Sequence, residues 1–288
     1  MRESLLTRLA LLAPAGGLVL AIIVLPAAIL VWLSFQASSF GTGARFVGWE
    51  NYVRVAGDPY FWRALLNTAI VVLIVVHAEL LLGLGMALLF AAGLPFRRLL
   101  VAAVLAPYAV SEVAAVIMWR FLFDPDVGHV AALLNALGLP SLEYAVSPAA
   151  GLVLVSLLSV WLHLPFTFTI LYAARLALPG EVYEAARIDG ASAWQSFRRV
   201  TLPLMAPAML LAMLFRLIFA FRLFSEVWLL TGGGPARQTE VVAVYLYLEA
   251  LRYNAFGGAA ATGWLMVVTS LLLAAPYLWR LARARRDA

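Results

Sequence analysis

The sequence predicts an all-α membrane protein with six transmembrane helices. Of 288 residues, 65% are hydrophobic and 12% charged, where typical soluble domains are about a quarter charged. The mean hydropathy is +0.96. The apolar residues also fall in six long, uninterrupted runs. A hydrocarbon core of roughly 30 Å needs about 20 apolar residues per helix. The runs are rich in Leu, Ala and Val and do not alternate. They therefore read as helices and not as barrel strands, the two solutions that lipid permits.

The runs lie at 10–35, 65–92, 99–123, 149–174, 204–230 and 262–281. Arg2 and Arg8 precede the first, as in a signal peptide, but Leu9 to Leu33 is too long for a signal h-region. An anchor helix is expected there. The second run contains His77 and Glu79, and the third Glu112 and Arg120. These intramembrane polar groups read as helix–helix contacts. Three outer loops follow from the spacing, at Ala37–Ala64, Asp124–Pro148 and Thr231–Ala261. The last holds VVAVYLYLEAL at 241–251, too short to span, which reads as an amphipathic surface helix or a shallow re-entrant piece.

All twenty basic residues are Arg, and their distribution sets orientation. Twelve lie in the N-tail, the 92–99 turn, the 175–203 loop and the C-tail. Five lie on the opposite side, and Arg120, Arg216 and Arg222 lie inside runs. The positive-inside rule places both termini and the 175–203 loop in the cytoplasm. The scattered arginines make no nucleic-acid face. With neither Cys nor Lys, disulfides, thiolate metal sites and a P-loop lysine are excluded. His77, His129 and His163 are far apart and lack zinc-motif carboxylates. Nothing supports catalysis, and no metal or cofactor is expected.

The segment from Pro179 to Pro207 has a local logic. Pro179 and Gly180 break the fourth run. Glu181 to Ile188 is a short helix with acids in its first turn, as the helix dipole prefers. Gly190 sits where a left-handed C-cap belongs. Ser192 and Gln195 form a capping box for a second short helix, with Trp194, Phe197 and Thr201 on one face. Pro203 is expected to end that helix before the fifth run. An interfacial helix pair on lipid headgroups would have the same composition.

The spacing E-A-A-x3-G-x9-V-x-L-P, from Glu184 to Pro203, resembles the EAA signature of bacterial ABC importer permeases. LPFTFTILYAARLALPGEVYEAARIDGAS at 164–192 and WRFLFDPDVG at 119–128 resemble the carbohydrate-uptake permeases. FRLFSEVWLLTGGGP at 221–235 is similar to the larger subunit of the maltose and glycerol-phosphate type. The resemblance implies the ABC importer permease fold in the bacterial cytoplasmic (inner) membrane. Residues 1–60 would form an anchor helix and outer loop, and 61–288 a permease core. It also implies partners: a second homologous permease, two ATPase subunits, an extracytoplasmic sugar-binding protein, a sugar or polyol substrate and membrane lipid. Glu184, Ala185, Ala186, Asp189 and Gly190 would couple the chain to an ATPase. Glu184 would be the charged contact, the alanines would permit close approach, and Gly190 the sharp turn.

Arg216 shares one helix face with Phe219, Ala220 and Leu223 at helical spacing, and alignment within that family places that face, with His163 and Phe166, on the substrate pathway. Aromatic faces and hydrogen-bonding side chains suit sugars. Plain packing is the competing reading for both phenylalanines, and a buried, bonded imidazole for His163. Arg222 and Glu226, at i and i+4, are expected to pair along another helix face. Where many relatives have Phe-Asp, this chain has Phe224-Ser225, with Glu226 one position later. Two alternatives remain from sequence alone. One is a permease for amino acids, peptides or metals, which LTGGGP and EAARIDGAS argue against. The other is an ion-coupled carrier, which should show inverted repeats and broken helices, whereas no repeat is visible.

Overall fold

The computed structural model describes residues 5–41 and 43–284, all but a few of the 288. Arg2, Arg285 and Arg286, counted above for orientation, lie outside them. Five helices are long and apolar enough to cross a membrane: Leu12–Ser34, Pro59–Ala91, Pro148–Leu176, Ala193–Ala220 and Phe256–Arg283. A sixth crossing is made if Arg97–Ala109 and Glu112–Leu122, bent by 99°, count as one span.

That bend corrects the straight third helix expected over 99–123. The helix tightens to a 3-10 turn at Ala106–Ala109. Pro107 has no amide to donate into the helical ladder. Val110 and Ser111 are extended before the helix restarts at Glu112. The fifth span is corrected too. Its helix ends at Ala220, and after a break at Phe224 (φ −135°, ψ −59°) a short helix runs over Ser225–Leu230. Proline is tolerated inside other spans, at Pro165 and Pro276, because neighbouring groups can take up the freed carbonyl.

The chain divides into two compact units, Met1–Trp62 with Tyr245–Val268, and Arg63–Val244 with Thr269–Ala288. In the first, the apolar side chains of Leu18 to Leu25 are exposed, as suits a helix solvated by lipid. A two-stranded antiparallel ribbon, Gln36–Ala37 against Arg45–Phe46, follows the span. Asn51, on helix Glu50–Gly57, donates to the carbonyls of Ser34 and Gln36, both at 2.9 Å. The Phe256 amide donates to Ser38 O at 3.0 Å. Arg54 pairs with Glu249 at 2.9 Å, and the Tyr245 hydroxyl donates to Asp58 at 2.8 Å. Residues 241–251 form helix Val242–Tyr247 and a wider turn at Leu248–Arg252. Val241, Val242, Val244 and Tyr245 are fully buried, which speaks against the surface-helix alternative of the two expected for this stretch.

In the second unit the helix Pro148–Leu176 is central. It packs against Leu202–Ala220, against Glu112–Leu122 and against Ser225–Leu230. Ser147 caps its start through the Ala150 amide, with Pro148 at the first helical position. One apolar cluster joins Leu80, Leu84 and Ala87 to Leu171 and Met205. Asn67 donates to the carbonyls of Gln238 and Glu240 at 2.8 and 2.9 Å, anchoring the TGGGP turn.

Candidate functional site

Two regions of the second unit gather the residues singled out above. The first is the 180–203 segment. Helix Gly180–Ile188 closes with the Ala191 amide donating to Ala186 O at 2.9 Å and the Gly190 amide to Arg187 O at 3.1 Å. This is a Schellman cap, and Gly190 adopts the φ of +77° that it requires. The capping box is formed in both directions: Ser192 Oγ accepts from the Gln195 amide at 3.3 Å, and Gln195 Oε1 from the Ser192 amide at 2.8 Å. Glu184, Ala185, Asp189 and Gly190 are exposed and Ala186 is half-buried. Beside them Ile188 is 86% exposed, a bare apolar tip that helix-capping logic did not single out.

Pro203 does not end the second helix. Ala193–Ser196 continues through a wider turn at Phe197–Thr201 into Leu202–Ala220. The turn frees Pro203 to occupy the first turn of the following helix, where its missing amide costs nothing. The Tyr183 hydroxyl meets Thr201 Oγ1 at 3.1 Å, and Arg175 lies over the Tyr183 ring at 4.5 Å. One continuous helix therefore leads from the capped turn to Arg216.

The second region is a cavity of about 170 Å³ at the two helix breaks. It is lined by Glu112, Ser159, His163, Arg216, Phe219, Ala220, Arg222, Leu223 and Glu226. Five of the six residues placed on the substrate pathway from sequence line it together. Phe166 does not. It packs edge-on against Phe219 and Phe215, with centroids at 6.0 and 6.3 Å.

Arg216 is 2% exposed. Its Nε and Nη2 donate to the two oxygens of Glu79 at 2.5 and 2.7 Å, and Thr167 Oγ1 donates to Glu79 at 3.0 Å. A buried carboxylate held by a fork of this geometry keeps both charges compensated. Glu79 is thus the helix–helix contact expected of it. His163 Nδ1 lies 3.0 Å from Ser159 O, in keeping with a bonded imidazole.

Arg222 and Glu226 do not form the expected pair along one helix face, because the chain leaves the helix between them. Arg222 is exposed and Glu226 buried. Both nevertheless line the same cavity as Arg216. Glu112 and Glu226 join it only through the breaks, so helical spacing held no signal for them, whereas Ser159 lies one turn before His163 on the unbroken helix Pro148–Leu176. Among the described residues no group of three or more His, Asp or Glu could hold a metal.

Residues 79–283 match the family described as the inner membrane component of binding-protein-dependent transport systems. The chain belongs to that family. It is a multi-pass inner-membrane permease component and not an enzyme. The permease is 35% identical to the sulfoquinovosyl glycerol transport system permease SmoG of Agrobacterium fabrum, over 93% of this chain and 88% of the relative. It is 36% identical to the trehalose permease SugA of Mycobacterium tuberculosis, over 77% and 72%. It is 33% identical to the trehalose/maltose permease MalF of Thermococcus litoralis, over 99% and 96%. Its fold matches a permease chain of a bacterial ABC transporter that imports the acidic polysaccharide alginate, with a TM-score of 0.82 at 22% identity, covering 95% of this chain and 94% of that one.

Proposed function

We propose that this permease is half of the translocation pathway of an ATP-driven sugar importer, moved by ATPase subunits through residues 180–190. Three similar permeases named for sugar or sugar-glycerol transport support the sugar reading. A second permease, two ATPases and an extracytoplasmic binding protein complete the assembly. Both termini and the 175–203 loop face the cytoplasm.

The observation that carries the coupling reading is continuity. The helix Ala193–Ala220 starts at the capped turn and ends at the cavity. At 1.5 Å per residue, Gln195 and Arg216 are about 30 Å apart along it. A compact plug of Glu184, Ala185, Ala186 and Ile188, seated in an ATPase cleft, would move with that cleft. The Schellman cap and the Tyr183–Thr201 hydrogen bond tie the plug to the helix. The displacement then arrives at Arg216, Phe219 and Ala220 as a rigid-body shift. Asp189 and Gly190 set the angle at which the plug leaves the helix.

The test uses the complete importer in proteoliposomes. Glu184→Lys and Gly190→Pro should insert normally but lose stimulation of ATP hydrolysis by the sugar-loaded binding protein. Full stimulation in both variants would remove the coupling role from this segment.

A further inference from the structure

The polar groups around the cavity define the solute it suits. Glu226 is 2% exposed and meets the Glu112 side chain, while its Oε2 has no hydrogen-bond partner among the described residues. The same holds for the buried Ser159 Oγ. Buried polar atoms are rarely left in that state, because an unmet acceptor forfeits the full desolvation cost. The Ser159 carbonyl can only accept, so His163 Nδ1 carries the proton in their 3.0 Å hydrogen bond. In the neutral imidazole Nε2 is then an acceptor. The carboxyl of Glu112 adds further acceptor oxygens to the lining.

The donors are placed differently. Arg216 commits Nε and Nη2 to Glu79. A guanidinium has five N–H groups, so some remain to donate, but its charge is already matched. Arg222 is the second guanidinium of the lining. Counting Glu79 with the lining groups, three carboxyl groups face two guanidiniums. Glu226 is hydrogen-bonded to the Glu112 side chain, so the two carboxyl groups share a proton, and with Glu79 their charge equals that of the two guanidiniums. There is no surplus positive charge to receive an anion, and an anionic solute would enter beside the Glu112–Glu226 pair, where like charge is disfavoured. A hydroxyl both donates and accepts, and therefore satisfies both halves of the lining. The Phe219 ring, half-exposed at the rim, offers an apolar face of the kind a sugar ring covers.

We infer that the cavity selects neutral polyhydroxyl solutes, a neutral sugar or polyol, over sugars bearing a carboxylate, sulfonate or phosphate. This inference rests on the sugar-importer reading above and narrows its substrate. It also separates this chain from the relatives named for sulfoquinovosyl glycerol and alginate.

The test uses the complete importer, with its own ATPases, second permease and binding protein, in proteoliposomes. The probes are radiolabelled trehalose, maltose and glycerol, against glucuronate and sulfoquinovosyl glycerol. ATP-dependent uptake of at least one neutral probe should exceed that of every anionic probe by tenfold or more. Uptake of an anionic probe at an equal or greater rate would overturn the inference while leaving the importer reading intact. Absence of ATP-dependent uptake for every probe would count against the importer reading itself, and the inference would fall with it. In Glu226→Gln, neutral-sugar uptake per ATP hydrolysed should drop by up to about tenfold, the scale of one buried hydrogen bond. Glu226→Asp, which keeps the carboxylate, should recover part of that loss. An unchanged ratio in Glu226→Gln would remove Glu226 from the site.

Discussion

Arg216 of helix Ala193–Ala220 holds Glu79 of helix Pro59–Ala91 through two hydrogen bonds, at 2.5 and 2.7 Å, with both side chains buried. The pair fixes the cavity wall at the helix that descends from the capped turn. It also neutralises a guanidinium that would otherwise attract anions. Removing one partner leaves the other charge uncompensated and buried, which typically costs 3–5 kcal/mol. Glu79→Ala and Arg216→Ala should each lower the thermal stability of the detergent-solubilised complex by an amount in that range. The double variant Glu79→Leu/Arg216→Met should lose less than either single change. Additive losses in Glu79→Ala/Arg216→Ala, the double variant that closes the cycle with the two alanine changes, would show that the two side chains are not energetically coupled.

Gly190 combines a positive φ with open surroundings, since no atom lies within 4 Å of where a Cβ would stand. Gly190→Ala should therefore cost only backbone strain, about 1 kcal/mol, and retain part of the coupling. Gly190→Pro also deletes the amide bonded to Arg187 O and forces φ negative. Binding-protein-stimulated ATP hydrolysis should fall in the order wild type, Ala, Pro. Equal activity in all three would show that the cap does not control the plug.

Tyr183 joins the plug to the helix through its 3.1 Å hydrogen bond with Thr201. Tyr183→Phe removes that bond and keeps the ring beneath Arg175. It should weaken coupling several-fold, the effect expected of a bond worth about 1 kcal/mol. Thr201→Ala should do the same, and the double variant should be no worse than either single one. The ratio of transport to ATP hydrolysis is the readout.

Gly257 admits no side chain, because a Cβ there would overlap the Gln36 carbonyl oxygen and crowd Asn51. The clash is with backbone and cannot be relieved by a rotamer change. Gly257→Ala should cost about 1–3 kcal/mol and reduce the amount of folded protein recovered from membranes. Gly85→Ala, with nothing within 4 Å of its Cβ position, serves as the control. Equal yields would place the strand and the helix start further apart than described.

The natural chain has no cysteine, so orientation can be read without a background-free variant. Asp189→Cys should react with a membrane-impermeant maleimide only from the cytoplasmic side. Glu143→Cys should react only from the outside. The reverse pattern would invert the arginine-based assignment.

The legible part of the fold was whatever depends on local chemistry. Long apolar runs located the helices Leu12–Ser34 and Pro148–Leu176 to within two residues, but Pro59–Ala91 and Phe256–Arg283 begin six residues before their runs, and Ala193–Ala220 begins eleven residues before the run at 204–230 and stops ten short of its end. The Ser192–Gln195 capping box and the left-handed Gly190 were readable because each motif is set by a few adjacent residues. Pro107 is the one local signal of the break at Val110–Ser111, and it does not discriminate, since Pro165 and Pro276 lie inside unbroken helices; the break at Phe224 carries neither glycine nor proline. Burial of Val241–Tyr245 was missed because a buried helix and a membrane-surface helix can share a composition. At the site, helical spacing correctly grouped Arg216, Phe219, Ala220 and Leu223. It wrongly separated them from Arg222 and Glu226, because spacing rules assume an unbroken helix. Glu79 as the partner of Arg216 is a contact 137 residues away in sequence, and no local pattern encodes it.

The central claim is that this permease moves solute only when ATPase subunits drive its 180–190 segment. The most direct measurement is sugar uptake into proteoliposomes containing the purified permease pair, with and without the ATPase subunits, at saturating ATP and loaded binding protein. Uptake against a gradient in the complete assembly, and none when the ATPases are omitted, is the result predicted. Concentrative uptake by the permeases alone would contradict it.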